Sequence, residues 1–149
     1  MSVEVAIRHR GKKVSGSEVK KTAEKILELL GRETSELSLV FVGNREMSAL
    51  NARYRKKNRP TDVLSFPFGE PQPPGPRILG DVVISLDQAE AQARKRRCTL
   101  EEEVKALMIH GILHLLGYDH ERSRREARIM RAMEKKVCRA LCDPKALKL

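Results

Sequence analysis

The chain has no tryptophan, two tyrosines and three phenylalanines, so aromatic side chains make up only 3% of it. Stacking surfaces are therefore few, and a charged ligand is expected to be held mainly through its charges. Cysteine is equally scarce. Cys98, Cys138 and Cys142 form an odd count at spacings that fit no disulfide framework, which points to a reducing compartment. Cys138 and Cys142, four apart in a helical stretch, read as small buried apolar residues. No stretch approaches the roughly 18 consecutive apolar residues of a membrane span, and the first residues carry no apolar h-region. A soluble, cytoplasmic protein is expected, with no membrane partner. Negative charge is also in deficit: 20 Asp and Glu face 30 Lys and Arg, a formal net charge of +10. A surface this basic attracts polyanions, nucleic acid before anionic membrane. Thermal adaptation also enriches Lys, Arg and Glu, so the charge by itself leaves both origins open.

What is present is enough for a core. The 149 residues are 40% hydrophobic, which fits a single domain over 1–149 that buries about two-thirds of the surface its unfolded form exposes. Val3 to Arg8 alternates like a strand. Ser17 then offers an N-cap to a helix reaching about Leu30, and Gly31 stands where a C-terminal cap belongs. Leu37 to Val42 reads as a second strand, followed by a short helix to Tyr54. Val63 to Phe68 is a third strand, which Pro67 places at a sheet edge. Glu70 to Arg77 holds four prolines and a glycine and reads as a surface loop. Leu79 to Ser85 is a fourth strand. Capping boxes at Ser85 with Gln88 and at Thr99 with Glu102 open two helices, and a very basic helix runs from about Ser123 to Leu141. The order predicts an α+β fold, a small mixed β-sheet of about four strands packed with about five helices.

Chemistry concentrates between His110 and His120, which read His-Gly-Ile-Leu-His-Leu-Leu-Gly-Tyr-Asp-His and hold three of the chain's four histidines. His110 and His114 are i and i+4 on a helix, with Cβ atoms about 5–6 Å apart, so both rings can converge on one cation. The helix is apolar nearly all round, with Val104, Leu107, Met108, Ile109, Ile112, Leu113, Leu115 and Leu116, and is expected to be buried. A lone buried histidine is usually a hydrogen-bonded core residue. Two on one apolar face cost free energy unless they are satisfied, and Gly117 can turn the chain so that His120 becomes a third ligand. Three protein ligands leave a fourth position open, the arrangement of catalytic rather than structural sites. The spacing is that of elongated metallopeptidase motifs, but residue 111 is Gly where those enzymes carry a glutamate base.

Three segments together resemble the YbeY family of bacterial rRNA-maturation endoribonucleases. His110 to His120 is similar to its histidine signature without departure. Tyr54-Arg55 with Pro60-Thr61-Asp62-Val63-Leu64-Ser65-Phe66-Pro67 resembles a second block, and Leu79-Gly80-Asp81-Val82-Val83-Ile84-Ser85 a third. Asn58 departs from the acidic residue that members commonly carry. The resemblance implies a metalloproteinase-like α+β fold and one Zn²⁺ on His110, His114 and His120. It further implies a zinc-dependent single-strand endoribonuclease acting in rRNA maturation at the 3′ end of small-subunit rRNA, and in quality control on the ribosome. By the same resemblance Arg55 is tied to activity, and His114 is carried as catalytic as well as ligating.

Around these stand weaker candidates. Five of the seven residues from Arg53 to Arg59 are basic, and Arg53, Lys56, Lys57 and Arg59 are expected to bind RNA backbone, although such a run is often a solvated loop. Asp119 is a candidate to orient a ligating histidine. Thr61, Asp62 and Ser65 read either as site residues or as structural caps. Tyr54, Phe66, Phe68 and Tyr118 could stack bases, with core packing equally open for the two phenylalanines. Two other functions compete: a metallopeptidase, which explains the spacing but not Gly111, and a non-catalytic ribosome-associated metal-binding module, which an open three-histidine site fits poorly.

Overall fold

The computed structural model describes residues 3–11, 14–56, 59–69, 72, 74 and 77–142. Lys57 and Asn58 lie outside the described residues, as does most of the loop expected over Glu70 to Arg77. The elements run β1 (Val3–Ile7), α1 (Gly16–Leu29), β2 (Glu36–Val42), α2 (Asn44–Arg55), β3 (Val63–Pro67), β4 (Ile78–Ser85), α3 (Leu86–Arg96), α4 (Leu100–Leu115) and α5 (Arg124–Cys142). The expected α+β class holds. The sheet has the order β1-β2-β4-β3. β1, β2 and β4 are parallel, and β3 joins antiparallel to β4 with Leu64 opposite Val83. β3 is thus an edge strand, where Pro67 costs no ladder hydrogen bond that the sheet needs.

Strand alternation sorts the core onto two faces. Leu37, Leu39, Phe41, Val82 and Ile84 point to one side, against α1, α4 and α5 residues such as Ile26, Leu27, Ile112, Leu113 and Met130. Val42, Leu64 and Val83 point to the other, where Met47 of α2 covers them. Each fully buried Leu or Ile contributes about 1.5–3 kcal/mol relative to exposure, so the first face dominates stability. α4 is its centre, with Met108, Ile109, Ile112 and Leu113 essentially inaccessible. Its one buried charge, Glu103, is held by Arg96 at 3.3 Å to both carboxylate oxygens, which pins α3 to α4. Outside the histidine cluster, His9 pairs with Asp87 at 2.9 Å and ties the end of β1 to the start of α3.

Several local expectations shift. The cap of α1 is Ser15, whose hydroxyl accepts from the Glu18 amide; Ser17 lies inside the helix. Ser85 caps α3 through the Gln88 amide, but the Gln88 side chain donates to Asn44 instead of reaching back, so that capping box is only half formed. The box at Thr99 and Glu102 is complete. Cys138 and Cys142 are exposed, contrary to the expected burial. The buried positions of α5 are Met130, Val137 and Ala140, and the two cysteines fall off that helical stripe.

Gly111 sits where α4 crosses the sheet. A Cβ built there would lie 2.6 Å from Val82 Cγ1 and 3.3 Å from the Ser65 hydroxyl. Val82 is fully buried and has nowhere to move. Glycine inside a helix costs about 1 kcal/mol relative to alanine. Here the close approach outweighs that propensity, because overpacking a rigid core costs about 1–3 kcal/mol. Gly111→Ala is therefore expected to destabilise the fold despite its better propensity, and a second change, Val82→Ala, should recover part of the loss. Urea unfolding of the two variants checks this; a Gly111→Ala protein as stable as the parent would refute the steric account.

Candidate metal centre

α4 carries His110 and His114 on either side of Gly111 in sequence, and both rings line one cavity. The helix then stops in a hydrogen-bonded lock: the Gly117 amide donates to the His114 carbonyl at 3.0 Å and the Tyr118 amide to the Leu113 carbonyl at 3.1 Å. This closure requires a left-handed residue, and Gly117 supplies it at φ +100°. The chain doubles back, and His120 meets the other two rings. Ring centroids stand 4.9 Å apart for His110 and His114, 5.0 Å for His110 and His120, and 5.1 Å for His114 and His120.

The donor set suits a metal. One ligand atom from each ring lies within 4.8 Å of the others, and His114 Nε2 is 3.1 Å from His120 Nδ1. A tetrahedral centre with bonds of ~2.0–2.1 Å separates its donors by about 3.3 Å, so modest ring adjustments close the set. His110 Nδ1 is 2.6 Å from Glu134 Oε2. With the proton on Nδ1, the ring donates to the carboxylate and turns its Nε2 lone pair to the cluster, the usual way a ligating histidine is oriented. Burial is the main cause holding His114 below the ordinary histidine range, and the nearby His110 and His120 add to it. A neutral ring is the ligating form.

Glu134 was not among the residues picked out by sequence. The available signal was weak: it is an isolated acid among Arg128, Arg131, Lys135, Lys136 and Arg139 in a basic helix. Asp119, the expected orienting carboxylate, accepts from the Glu121 amide at 2.7 Å and pairs with Arg122 at 3.2 Å. The Glu121 amide is also the first cause holding its carboxyl below the usual range. Asp119 shapes the turn that carries His120; among the described hydrogen bonds, the carboxylate that meets a histidine of the cluster is Glu134.

The rings open into a cavity of ≈ 530 Å³ that Arg55, Thr61, Asp62, Ser65 and Glu121 also line. Arg55 reaches it from the end of α2 and faces Glu121 at 3.9 Å. Thr61, Asp62 and Ser65 are at the site and also structural. Asp62 accepts from the Val63 amide and the Gln92 side chain, while its carbonyl accepts from the Ser85 amide. Ser65 donates to the Gly111 carbonyl at 2.9 Å, tying β3 to α4. Buried Asn51 donates to the Arg59 carbonyl at 2.8 Å and so anchors the segment leading to Thr61. Of the basic run, Arg59 lines a smaller cavity with Arg55, Arg53 lies over the Tyr54 ring, and Lys56 ends α2 in a left-handed conformation.

Comparison with known proteins converges on one family. The family model described as Endoribonuclease YbeY matches residues 4–142. A protein of that name from Aquifex aeolicus (strain VF5) is 50% identical over 133 residues, 89% of this chain and 88% of its own. Another from Thermodesulfovibrio yellowstonii is 40% identical over 152 residues, covering 92% of this chain and 95% of the relative. Among solved structures, the solution structure of TM1509 from Thermotoga maritima superposes with a TM-score of 0.62 at 33% identity, over 91% of this chain and 87% of that one.

Purified protein is expected to carry about one metal equivalent, and the variant with all three histidines changed to alanine none. Glu134→Ala should bind metal about 10- to 100-fold more weakly with an unchanged circular dichroism spectrum. Titration of the metal-free protein checks it; parent-like affinity would reduce Glu134 to an ordinary ion-pair partner.

Proposed function

This chain belongs to the Endoribonuclease YbeY family, and from that membership and the histidine geometry we propose that it is a zinc-dependent endoribonuclease cutting single-stranded RNA. We assign it to maturation of ribosomal RNA, at the 3′ end of the small-subunit RNA, and to quality control on the ribosome in the cytoplasm. The observation that carries the reading is that three converging imidazoles and a weakly paired arginine share one open cavity. When bound, the metal supplies Lewis acidity and lowers the pKa of water to about 7.

The chain's own residues supply the rest. Arg55 is 41% exposed and meets Glu121 only at 3.9 Å, a contact of the kind worth ~0–1 kcal/mol at a surface. It can exchange that partner for a phosphodiester at little cost. Its guanidinium stays protonated and matches two phosphate oxygens at once, so it can stabilise charge that develops during cleavage. Arg53, Lys56 and Arg59 extend the positive wall along the strand, and Lys57 is included in that proposal from its place in the sequence. Free thiols at Cys98, Cys138 and Cys142 support a reducing compartment, and among the described residues no helix is long and apolar enough to cross a membrane.

One feature favours a peptidase: β3 is an edge strand beside the cavity, where an extended peptide can add by backbone pairing. Position 111 opposes it. The glutamate base of such enzymes has no room there, because the site of its Cβ faces Val82. Imidazole ligands suit zinc, and nickel or copper can replace it in a purified sample.

Single-stranded RNA should be cut and casein left intact, with a chelator abolishing cutting; the reverse pattern would install the peptidase. Arg55→Ala should keep metal and fold yet lose cleavage by about 10²-fold or more. Arg55→Lys should rescue poorly, because a point charge cannot replace the guanidinium fork. Log affinity for RNA should fall linearly with log salt, by about 0.7 per neutralised phosphate.

A further inference from the structure

Tyr54 is the most exposed large apolar side chain among the described residues, at 56%. It occupies the last turn of α2, immediately before Arg55. Successive side chains on a helix diverge by about 100°, so Arg55 turns to the metal cavity while Tyr54 turns to the rim formed by β3. There its ring packs edge-on against Phe66, with centroids 5.0 Å apart and planes at 65°. Arg53 places its guanidinium 5.5 Å from the centre of the same ring. Phe66 is itself held in the smaller core beside Leu64 and Val83, so the support under Tyr54 is rigid.

A tyrosine needed only for packing would bury its ring. This one keeps more than half of its surface in water, within a turn whose other long side chains, Arg53, Arg55 and Lys56, are all cationic. We propose that Tyr54, flanked by Arg53, is a stacking platform for one nucleobase of a single-stranded RNA whose adjacent phosphate is held at Arg55. This rests on the endoribonuclease reading above and adds the origin of strand selectivity. Positive charge attracts single strands and duplexes alike, whereas only an unpaired base offers its face to a ring. Because every base has such a face, the platform selects strand state and not sequence.

The test uses metal-loaded protein and three oligonucleotides: a single-stranded RNA, the same sequence as a duplex, and a strand with abasic positions. Tyr54→Leu keeps apolar contact with Phe66 but removes the flat π surface; Tyr54→Phe keeps both. The Leu variant should lose about tenfold in kcat/KM on the single strand, chiefly through KM. The Phe variant should stay within about twofold of the parent, and the salt slope should not change, since no phosphate contact is lost. Parent and Leu variant should be equally poor on the abasic strand and on the duplex. A second readout does not depend on the Leu variant folding. The chain has two tyrosines and no tryptophan, so Tyr118→Phe leaves Tyr54 as the only tyrosine, whose emission is excited apart from that of the phenylalanines. Single-stranded RNA should quench that emission, and the abasic strand and duplex should not. Undiminished cutting by Tyr54→Leu, or absence of quenching, overturns the platform while leaving the nuclease reading intact. A parent protein that neither binds nor cuts RNA overturns both.

Discussion

The approach of α4 to β4 at Gly111 and Val82 governs the geometry of the site. A helix laid on a sheet can settle at many rotations about its axis, and each would aim its side chains differently. Here the residue against the sheet has no Cβ, and any larger one would meet Val82 Cγ1 at 2.6 Å. The close approach limits how far the helix can turn or lift without a clash or a gap, and Ser65 fastens the same point through the Gly111 carbonyl. With position 111 turned inward, His110 and His114 look into the cavity. The glycine is thus a packing residue with a chemical consequence: the place a glutamate base would occupy is filled by the sheet.

From that fixed helix the site is assembled by partners far apart in the chain. The Gly117 turn returns His120, α5 delivers Glu134 to His110, and α2 delivers Arg55 across the cavity. Charges are distributed to match. Burial, with the neighbouring His110 and His120, holds His114 below the ordinary histidine range, which favours its neutral form. Among the described residues the carboxylate that meets a ring of the cluster is Glu134 of α5, while Arg55 of α2 faces Glu121 across the cavity.

The elements read from sequence agree with the fold where local physics decides them. Periodicity, residue composition and capping together marked the four strands and five helices of the described residues, Pro67 correctly places β3 at an edge, and Thr99 with Glu102 forms the complete capping box. Where two local options compete, the sequence is less decisive. Ser15 and Ser17 are both good caps, and the choice of Ser15 depends on how the chain leaves the preceding loop. Cys138 and Cys142 lie one step off the buried stripe of α5, a difference that composition does not register.

The three histidines were legible because their relation is local: a helical i, i+4 pair, a glycine and a turn all follow from neighbouring residues. By itself the sequence determined the fold class, the buried helix, the candidate metal-binding histidines and the excess of basic residues. Tertiary structure alone decided that Glu134 of α5 meets His110, that Asp119 instead shapes the His120 turn, and that Gly111 faces Val82. It likewise decided that Arg55 shares a cavity with residues more than fifty positions away. Periodicity and capping are short-range and can be read along the chain, whereas these contacts join different elements and exist only once the sheet has set where each helix lies.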